Sequence, residues 1–215
     1  MPGRSRGGVV SLTESEAPPR CLTPERPLPE AIAPEPVKVL DAGAIEAAFQ
    51  QVFLQRYQTV LQGNGDEPLY LPASGDSTCH RIIYRHDYAA SALHEVAHWC
   101  VAGARRRQLE DYGYWYAADG RSSTQQAEFE RVEVKPQALE WLFSVAAGRD
   151  FKVSADNLAA GLGPSLTFKQ AIYQQVLAFC GAGLPRRAAA FVAALARQSG
   201  VGEPLNPAHY RLHRV

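Results

Sequence analysis

Apolar residues recur at helical spacing in five separate stretches of this chain. In the first stretch they form one stripe of an amphipathic helix, and Asp41 stands where its N-cap is expected. Pro136 lies in the third stretch and must start or kink that helix, because proline cannot donate the mid-helix hydrogen bond. The spacing therefore predicts helices at about 41–61, 88–107, 124–147, 166–179 and 185–198.

Two short runs between the first two helices have the character of β-strands. They cover residues 69–71 and 81–84, and a segment with a proline and a glycine separates them at 72–76. The Gly-Asn-Gly-Asp sequence at 63–66 breaks the preceding helix. The whole pattern predicts a helix-rich α+β fold, a single domain with a small β-sheet.

The amino-terminal stretch differs from the rest of the chain in composition. Eight of the 15 prolines fall within the first 36 residues, and no aromatic residue precedes Phe49. Such a stretch lacks the apolar area that would offset the entropy lost on ordering it. We therefore predict a disordered proline-rich extension at 1–40, a folded domain at 41–200 and a C-terminal tail at 201–215.

Composition and charge argue against several classes of protein. The 215 residues are 46% apolar, which rules out a wholly disordered chain. Lys plus Arg and Asp plus Glu each number 22, and the zero net charge argues against binding nucleic acid through a bulk positive field. No apolar run approaches the roughly 18 residues of a membrane span, and no apolar signal-peptide segment follows the early arginines.

The cysteines indicate the compartment in which the protein works. The four of them are far apart and form no CxxC pair, which predicts neither a disulfide framework nor a thiolate zinc site. That pattern fits a reducing cytosol. We expect a cytoplasmic monomer with no direct contact to nucleic acid or membrane.

One motif indicates chemistry, the HExxH sequence that begins at His94 and ends at His98. Residues four apart lie on one face of a helix, so the two imidazoles can bind a single metal ion, with Glu95 beside it. The alternative is a pair of unrelated histidines on a solvated helix face. A metal site is favoured because apolar neighbours supply a buried face on the other side: Ala92, Leu93, Val96 and Ala97.

Two histidines leave a metal site incomplete, so a third ligand is expected further along the chain. The stretch 124–147 offers four glutamates, of which Glu133 lies 35 residues after His98 and between two valines. A carboxylate between β-branched residues is rarely a purely solvated charge. Glu133 is therefore preferred as the ligand and Glu130 is the second choice, although spacing alone does not separate them. Glu128 and Glu140 are interpreted as ordinary surface acids.

Two histidines and one carboxylate are compatible with two kinds of chemistry. With zinc and a bound water molecule, Glu95 would be the general base of a peptidase. With ferrous iron, the same three ligands form a facial triad that leaves positions open for dioxygen and substrate. The identity of the ligands does not decide between these two metals.

Longer segments around this motif resemble a known family. They are DEPLYLPA at 66–73, RII at 81–83, AASALHEVAHWC at 89–100, GYWY at 113–116, DGR at 119–121 and VEVKPQALEWLF at 132–143. Together they resemble the bacterial elongation factor P hydroxylase family over about residues 42–200. These segments are much longer, and so more specific, than HExxH alone.

The resemblance implies a non-haem iron(II) enzyme that uses dioxygen in the last step of elongation factor P maturation. Its protein substrate would be lysylated elongation factor P, hydroxylated on the lysine that already bears a β-lysyl extension. The resemblance implies His94, His98 and Glu133 as metal ligands and Glu95 as a proton-handling residue instead of a peptidase base. It makes 41–200 a metal-dependent hydroxylase domain, which after purification can also carry another divalent metal. The His-x-Asp pattern usual in 2-oxoglutarate oxygenases is missing, so the sequence identifies no electron donor.

The charge distribution suits a cationic substrate arm. Residues 41–150 contain 15 acidic and 10 basic side chains, and within them Asp87 and Asp119 are candidates to bind the arm. An aromatic group of Tyr112 and its neighbours at 114–116 either lines a channel for the arm or packs in the core, and packing is favoured. Trp99 and Trp141 are predicted to lie in the core. A zinc metallopeptidase and a non-catalytic metal-binding adaptor are the alternative functions.

Overall fold

The computed structural model describes residues 36–75, 77–113, 121–154 and 163–215, which belong to one unit, Glu35–Val215. The elements of this part follow in the order α1 Ala42–Tyr57, β1 Thr59–Gly65, β2 Leu69–Leu71, β3 His80–Arg85, α2 Ala89–Val101, α3 Ser123–Ala146, α4 Leu166–Ala182 and α5 Arg186–Ser199. Short 3₁₀ turns follow α2 at Arg106–Gln108 and Glu110–Gly113, and α5 at Pro207–His209 and Leu212–Arg214. The helix-rich α+β prediction is confirmed.

Three of the helices, α1, α3 and α4, begin at residues whose side chains satisfy free backbone N–H groups. Asp41 caps α1 as predicted, since its Oδ1 accepts a hydrogen bond from Ala44 N at 2.8 Å. Ser122 and Gln125 form a reciprocal capping box at the start of α3. Pro136 lies inside α3, so the helix continues through the proline. Ser165 caps α4 in the same way.

The sheet has three strands in the order β1-β3-β2, with β1 parallel and β2 antiparallel to β3. Sequence analysis found β2 and β3 but extended α1 to residue 61, across the beginning of β1. The helix ends at Tyr57 because Gln58 adopts a left-handed conformation with φ 45°. Pairing of β1 with β3 and burial of Leu61 outweigh the helical spacing of that segment.

The core lies between α1, α2, α3 and α5, with the sheet packed against α1 and α2. One side of α2 is completely buried in it, including Leu93, Val96 and Ala97. Aromatic rings fill the centre, with ring centroids 4.9 to 5.9 Å apart for Phe49 against Phe53, Trp99 and Phe191. Trp99 and Trp141 are buried, which confirms both as core residues.

The last two helices, α4 and α5, are joined by a tight connection at 183–185. A buried stripe on α4 faces the core through Phe168, Ile172 and Val176. Within the described part of the chain, no single helix is long and apolar enough to cross a membrane. Only α4 and α5 taken together, bent by 89°, have the necessary length and composition.

Both ends of the described chain differ from the boundaries drawn by composition. Lys38 N donates to Ser199 O at 2.7 Å and Leu40 is buried, so the end of the proposed extension packs on the domain. Residues 1–35 lie outside the described residues. The segment 201–215, expected to be a tail, also packs on the core, because Tyr210 is fully buried and its ring contacts Trp141. Leu205 and Val215 of the same segment also pack against the core, and Lys169 Nζ donates to Val215 O at 2.8 Å, so several contacts hold it in place.

Candidate metal centre

Helices α2 and α3 bring three predicted ligands together. His94 and His98 lie on the side of α2 opposite its buried face, with side chains 22% and 17% exposed, and Glu133 projects from α3. The Nε2 atoms of the two histidines are 2.9 Å apart. Glu133 Oε1 is 3.3 Å from His98 Nε2, and Glu133 Oε2 is 3.6 Å from His94 Nε2. The three side chains thus direct their donor atoms to one point.

These distances fit a divalent metal ion held by all three side chains. Metal bonds of about 2.1 Å place neighbouring ligand atoms about 3.0 Å apart in octahedral geometry and about 3.4 Å apart in tetrahedral geometry. The measured separations of 2.9 to 3.6 Å span both values. In the part of the chain that the structure describes, this is the one group of three His, Cys, Asp or Glu side chains with metal-binding geometry. Two imidazoles and a carboxylate suit zinc as well as ferrous iron.

A fourth side chain, Glu140, completes the cluster from the outer side of His94. Its Oε2 lies 2.8 Å from His94 Nδ1, and the residue is only 7% exposed. The interpretation of Glu140 as a surface acid is therefore wrong. Seven residues make nearly two helical turns, so Glu133 and Glu140 lie on the same face of α3. The seven-residue spacing from Glu133 is the one sequence signal that relates Glu140 to the site, and it does not by itself show that Glu140 is buried.

The other glutamates of α3 lie outside the cluster. Glu130, the second choice as ligand, accepts a hydrogen bond from Ser165 Oγ at 3.0 Å and so tethers α3 to the start of α4. Glu128 is exposed and pairs with Arg131, as predicted for a surface acid. The structure therefore separates Glu133 from Glu130, which spacing alone left undecided.

Gln137 holds a neighbouring segment against the site-bearing face of α3. It is buried, its Nε2 donates to Ser154 O at 2.7 Å, and its Oε1 accepts from Ser154 N at 3.2 Å. Because α3 runs through Pro136, Gln137 lies one turn after Glu133 on the same face of the helix. The buried amide thus fixes the backbone beside the metal cluster.

The electrostatics of the cluster favour an additional positive charge. Burial alone would lower the pKa of His94. The charge of Glu140, its hydrogen bond to His94 and the charge of Glu133 together outweigh burial and raise that pKa to about 10. Burial and the charge of His94 hold the pKa of His98 well below its usual value. Burial raises the pKa of Glu95 to about 7, opposed by the charge of His94. One imidazolium leaves an excess of negative charge beside three carboxylates, and a divalent cation would offset more of that charge.

Glu95 is half-buried next to His94 and faces the turn that follows α2. Burial of Tyr112 in that turn is the main cause that raises the pKa of its hydroxyl group, and the negative charge of Glu95 raises this pKa further. Tyr112 is 5% exposed and stacks on Tyr70 with ring centroids 4.3 Å apart, so it packs in the core, as favoured. Residues 114–116 and Asp119, also candidates for binding the substrate arm, lie outside the described residues. Asp87 is exposed in the turn before α2.

A second polar cluster lies at the C-terminal end of α2. Arg187 Nη2, from α5, donates to the carbonyl oxygens of Trp99, Cys100 and Ala102 at 2.9, 3.1 and 2.6 Å. Its guanidinium lies 4.8 Å from the Trp99 ring. Arg107 Nη1 donates to Ala102 O as well, so two cations lie at this helix end, where they suit the helix dipole. Sequence analysis missed Arg187, because no local pattern connects it to a helix more than eighty residues earlier.

Comparison with known proteins identifies a family model and a curated relative that this chain matches. Residues 48–209 match the family model described as elongation factor P hydroxylase. The chain is also 48% identical over 166 residues to the elongation factor P lysine hydroxylase of Haemophilus influenzae. That alignment covers 77% of this chain and 93% of the relative. The matched region includes both helices of the metal cluster.

Proposed function

The chain belongs to the elongation factor P hydroxylase family, and from this premise we propose that it hydroxylates the β-lysylated lysine of elongation factor P with ferrous iron and dioxygen. Hydroxylation of elongation factor P follows from membership in the family and from the near full-length match to a relative of that name. The metal, the oxidant and the lysylated state of the substrate are the finer parts of the proposal.

The observation that carries the metal assignment is the convergence of three ligand atoms from α2 and α3. His94 and His98 would bind the ion through Nε2, and Glu133 would bind it through its carboxylate. Bound ferrous iron would supply the activation of dioxygen and the oxidation of an unactivated C–H bond. Three protein ligands on one side leave room for dioxygen and for the substrate arm.

The remaining residues of the site would position groups and handle protons. Insertion of one oxygen atom into a C–H bond, with the other atom released as water, consumes two protons and two electrons from an external reductant. Glu95 would deliver protons, because its half-buried carboxyl group lies next to His94 on the same helix turn.

The family assignment favours the hydroxylase over the zinc peptidase that HExxH alone left open, because both matched descriptions are hydroxylases. A non-catalytic adaptor is disfavoured on the same ground. The surroundings of the metal position also suit an amine-bearing substrate, since acidic groups outnumber basic ones there. We further propose that the protein acts in the cytoplasm as a monomer, without direct binding to nucleic acid or membrane.

Metal exchange tests this proposal. The protein is stripped with a chelator, loaded with ferrous iron or zinc under anaerobic conditions, and mixed with lysylated elongation factor P and a reductant before oxygen is admitted. We expect the substrate to gain the mass of one oxygen atom only with iron and oxygen together. Elongation factor P without the lysyl extension is the matched control and should react far less. An equal gain with zinc, or cleavage of the substrate, would contradict the proposal.

A further inference from the structure

The hydrogen bond between Glu140 and His94 has a consequence for the metal position. An imidazole has two nitrogens, and when Nδ1 donates its proton to a carboxylate, the lone pair is left on Nε2. Glu140 Oε2 accepts at 2.8 Å from Nδ1, on the far side of the ring from His98 and Glu133. This contact therefore selects the tautomer in which His94 Nε2 is a ligand.

The two histidines of the motif differ in this respect. Within the described part of the chain, His94 Nδ1 contacts a carboxylate and His98 Nδ1 does not. The contacts of His98 in this cluster are made by its Nε2, with His94 Nε2 at 2.9 Å and Glu133 Oε1 at 3.3 Å. Loss of Glu140 would therefore free one ring of the pair and leave the other in place.

The position of Glu140 argues against an ordinary structural ion pair. Burying a carboxylate close to Glu133 and Glu95 costs free energy, and a buried ion pair seldom repays that cost in stability. Its neighbours Leu139 and Leu142 are fully buried and already fix α3 in the core. We therefore explain the buried position of Glu140 by its hydrogen bond to His94 Nδ1.

We propose that Glu140 is a positioning residue that fixes the tautomer and orientation of His94 and thereby sets the affinity of the site for its metal. This inference rests on the proposed metal site at His94, His98 and Glu133. Hydrogen bonds of this kind hold ligand imidazoles in many metalloproteins, and removing the partner typically weakens metal binding about 10- to 100-fold. Glu140 would act through His94 and would not itself touch substrate.

Metal titration of variants tests the role of Glu140 without measuring hydroxylation. Cobalt(II) binding is followed by its visible absorption, in competition with a chelator of known affinity. We expect about tenfold weaker binding for Glu140→Gln, whose amide oxygen still accepts a hydrogen bond, and about 100-fold weaker binding for Glu140→Ala. Glu128→Gln is the matched control, because it removes the same charge from an exposed position of the same helix and should bind as the wild type does.

The outcomes separate this inference from the proposed function. Wild-type affinity in both Glu140 variants would overturn the positioning role and leave the metal site intact. A wild-type protein that binds no cobalt would overturn both. Nitrogen NMR of histidine in the zinc-loaded wild-type protein gives a second test that does not depend on the folding of a variant. We expect His94 to carry its proton on Nδ1, and a proton on Nε2 would refute the inference.

Discussion

Two polar clusters lie on the same helix, α2, and they are built in opposite ways. In the middle of the helix, His94 and His98 face the carboxylates of Glu133 and Glu140 from α3. At its C-terminal end, backbone carbonyl groups face the guanidinium of Arg187 from α5. Both clusters tie α2 to a helix that is distant in the sequence.

The difference lies in what each cluster needs to be complete. Arg187 supplies hydrogen-bond donors and positive charge to helix carbonyls, so the chain itself satisfies these carbonyl groups and the contact stabilises the fold. The middle cluster instead directs two ring nitrogens and a carboxylate to one point, amid an excess of negative charge. In the proposed function, a divalent cation completes it. Buried polar groups that satisfy one another are structural, whereas groups that converge on a shared point indicate a ligand.

The comparison predicts the largest effect for the ligands of the middle cluster. His94→Ala, His98→Ala or Glu133→Ala should reduce turnover to the detection limit, because each removes one of three metal ligands. Circular dichroism should show a retained fold, since the cluster faces away from the core side of α2. Metal content and the mass of elongation factor P after reaction are the measurements.

The matched control for the ligand variants is Glu130→Ala on α3. Its carboxylate bonds to Ser165 instead of the metal cluster, so metal content should remain at the wild-type level. Full activity in any of the three ligand variants would refute the assignment of the ligands.

The next largest effect is expected for Glu95. Glu95→Gln keeps the shape of the side chain but cannot release a proton, and we expect turnover to fall about 100-fold. Metal content should stay at the wild-type level, because the Glu95 carboxylate is not one of the three converging groups. The rate per bound iron is the quantity to measure. A variant that turns over as fast as the wild type would remove Glu95 from the mechanism.

The end cluster should respond in the opposite way. Arg187→Met leaves the carbonyl groups of Trp99 and Cys100 without their charged donor and removes one of two such donors from Ala102 O, and we expect the free energy of unfolding to fall by about 2 kcal/mol. Urea unfolding measures this change. The stoichiometry of bound metal should be unchanged at saturation. If Arg187→Met lost metal binding and kept its stability, the end cluster would serve the metal site, which contradicts the structural role assigned to it.

The smallest effect is expected for Arg107, the minor partner of the end cluster. Arg107→Met removes one hydrogen bond to Ala102 O, which Arg187 also serves. We expect a loss of about 1 kcal/mol in the free energy of unfolding by urea. A loss larger than that of Arg187→Met would reverse the order assigned to the two arginines.

The sequence predicted those parts of the site that depend on local spacing. His94 and His98 share a face because they are four residues apart, and Glu133 was favoured by its apolar neighbours. Arg187 was missed, because its contact with α2 depends on how α5 packs. Glu140 was misjudged because a glutamate on a helix is usually solvated, and only the packing of α2 on α3 buries it.

The fold shows the same division between local and distant information. Asp41 and the apolar spacing predicted the start of α1 correctly, but they extended the helix to residue 61, past its end at Tyr57. Strand β1 was missed because it is held by pairing with β3 and not by a strong pattern of its own. The packing of Tyr210 on Trp141 also joins distant parts of the chain, so the spacing around Tyr210 did not predict that residues after α5 are ordered.

Oxygen labelling tests the central claim most directly. The iron-loaded protein is supplied with lysylated elongation factor P, a reductant and dioxygen enriched in the heavy isotope, in ordinary water, and the modified peptide is weighed. The account predicts that the product lysine contains one oxygen atom derived from the labelled gas. A product whose added oxygen comes from water, or a substrate cleaved or left unchanged, would contradict it.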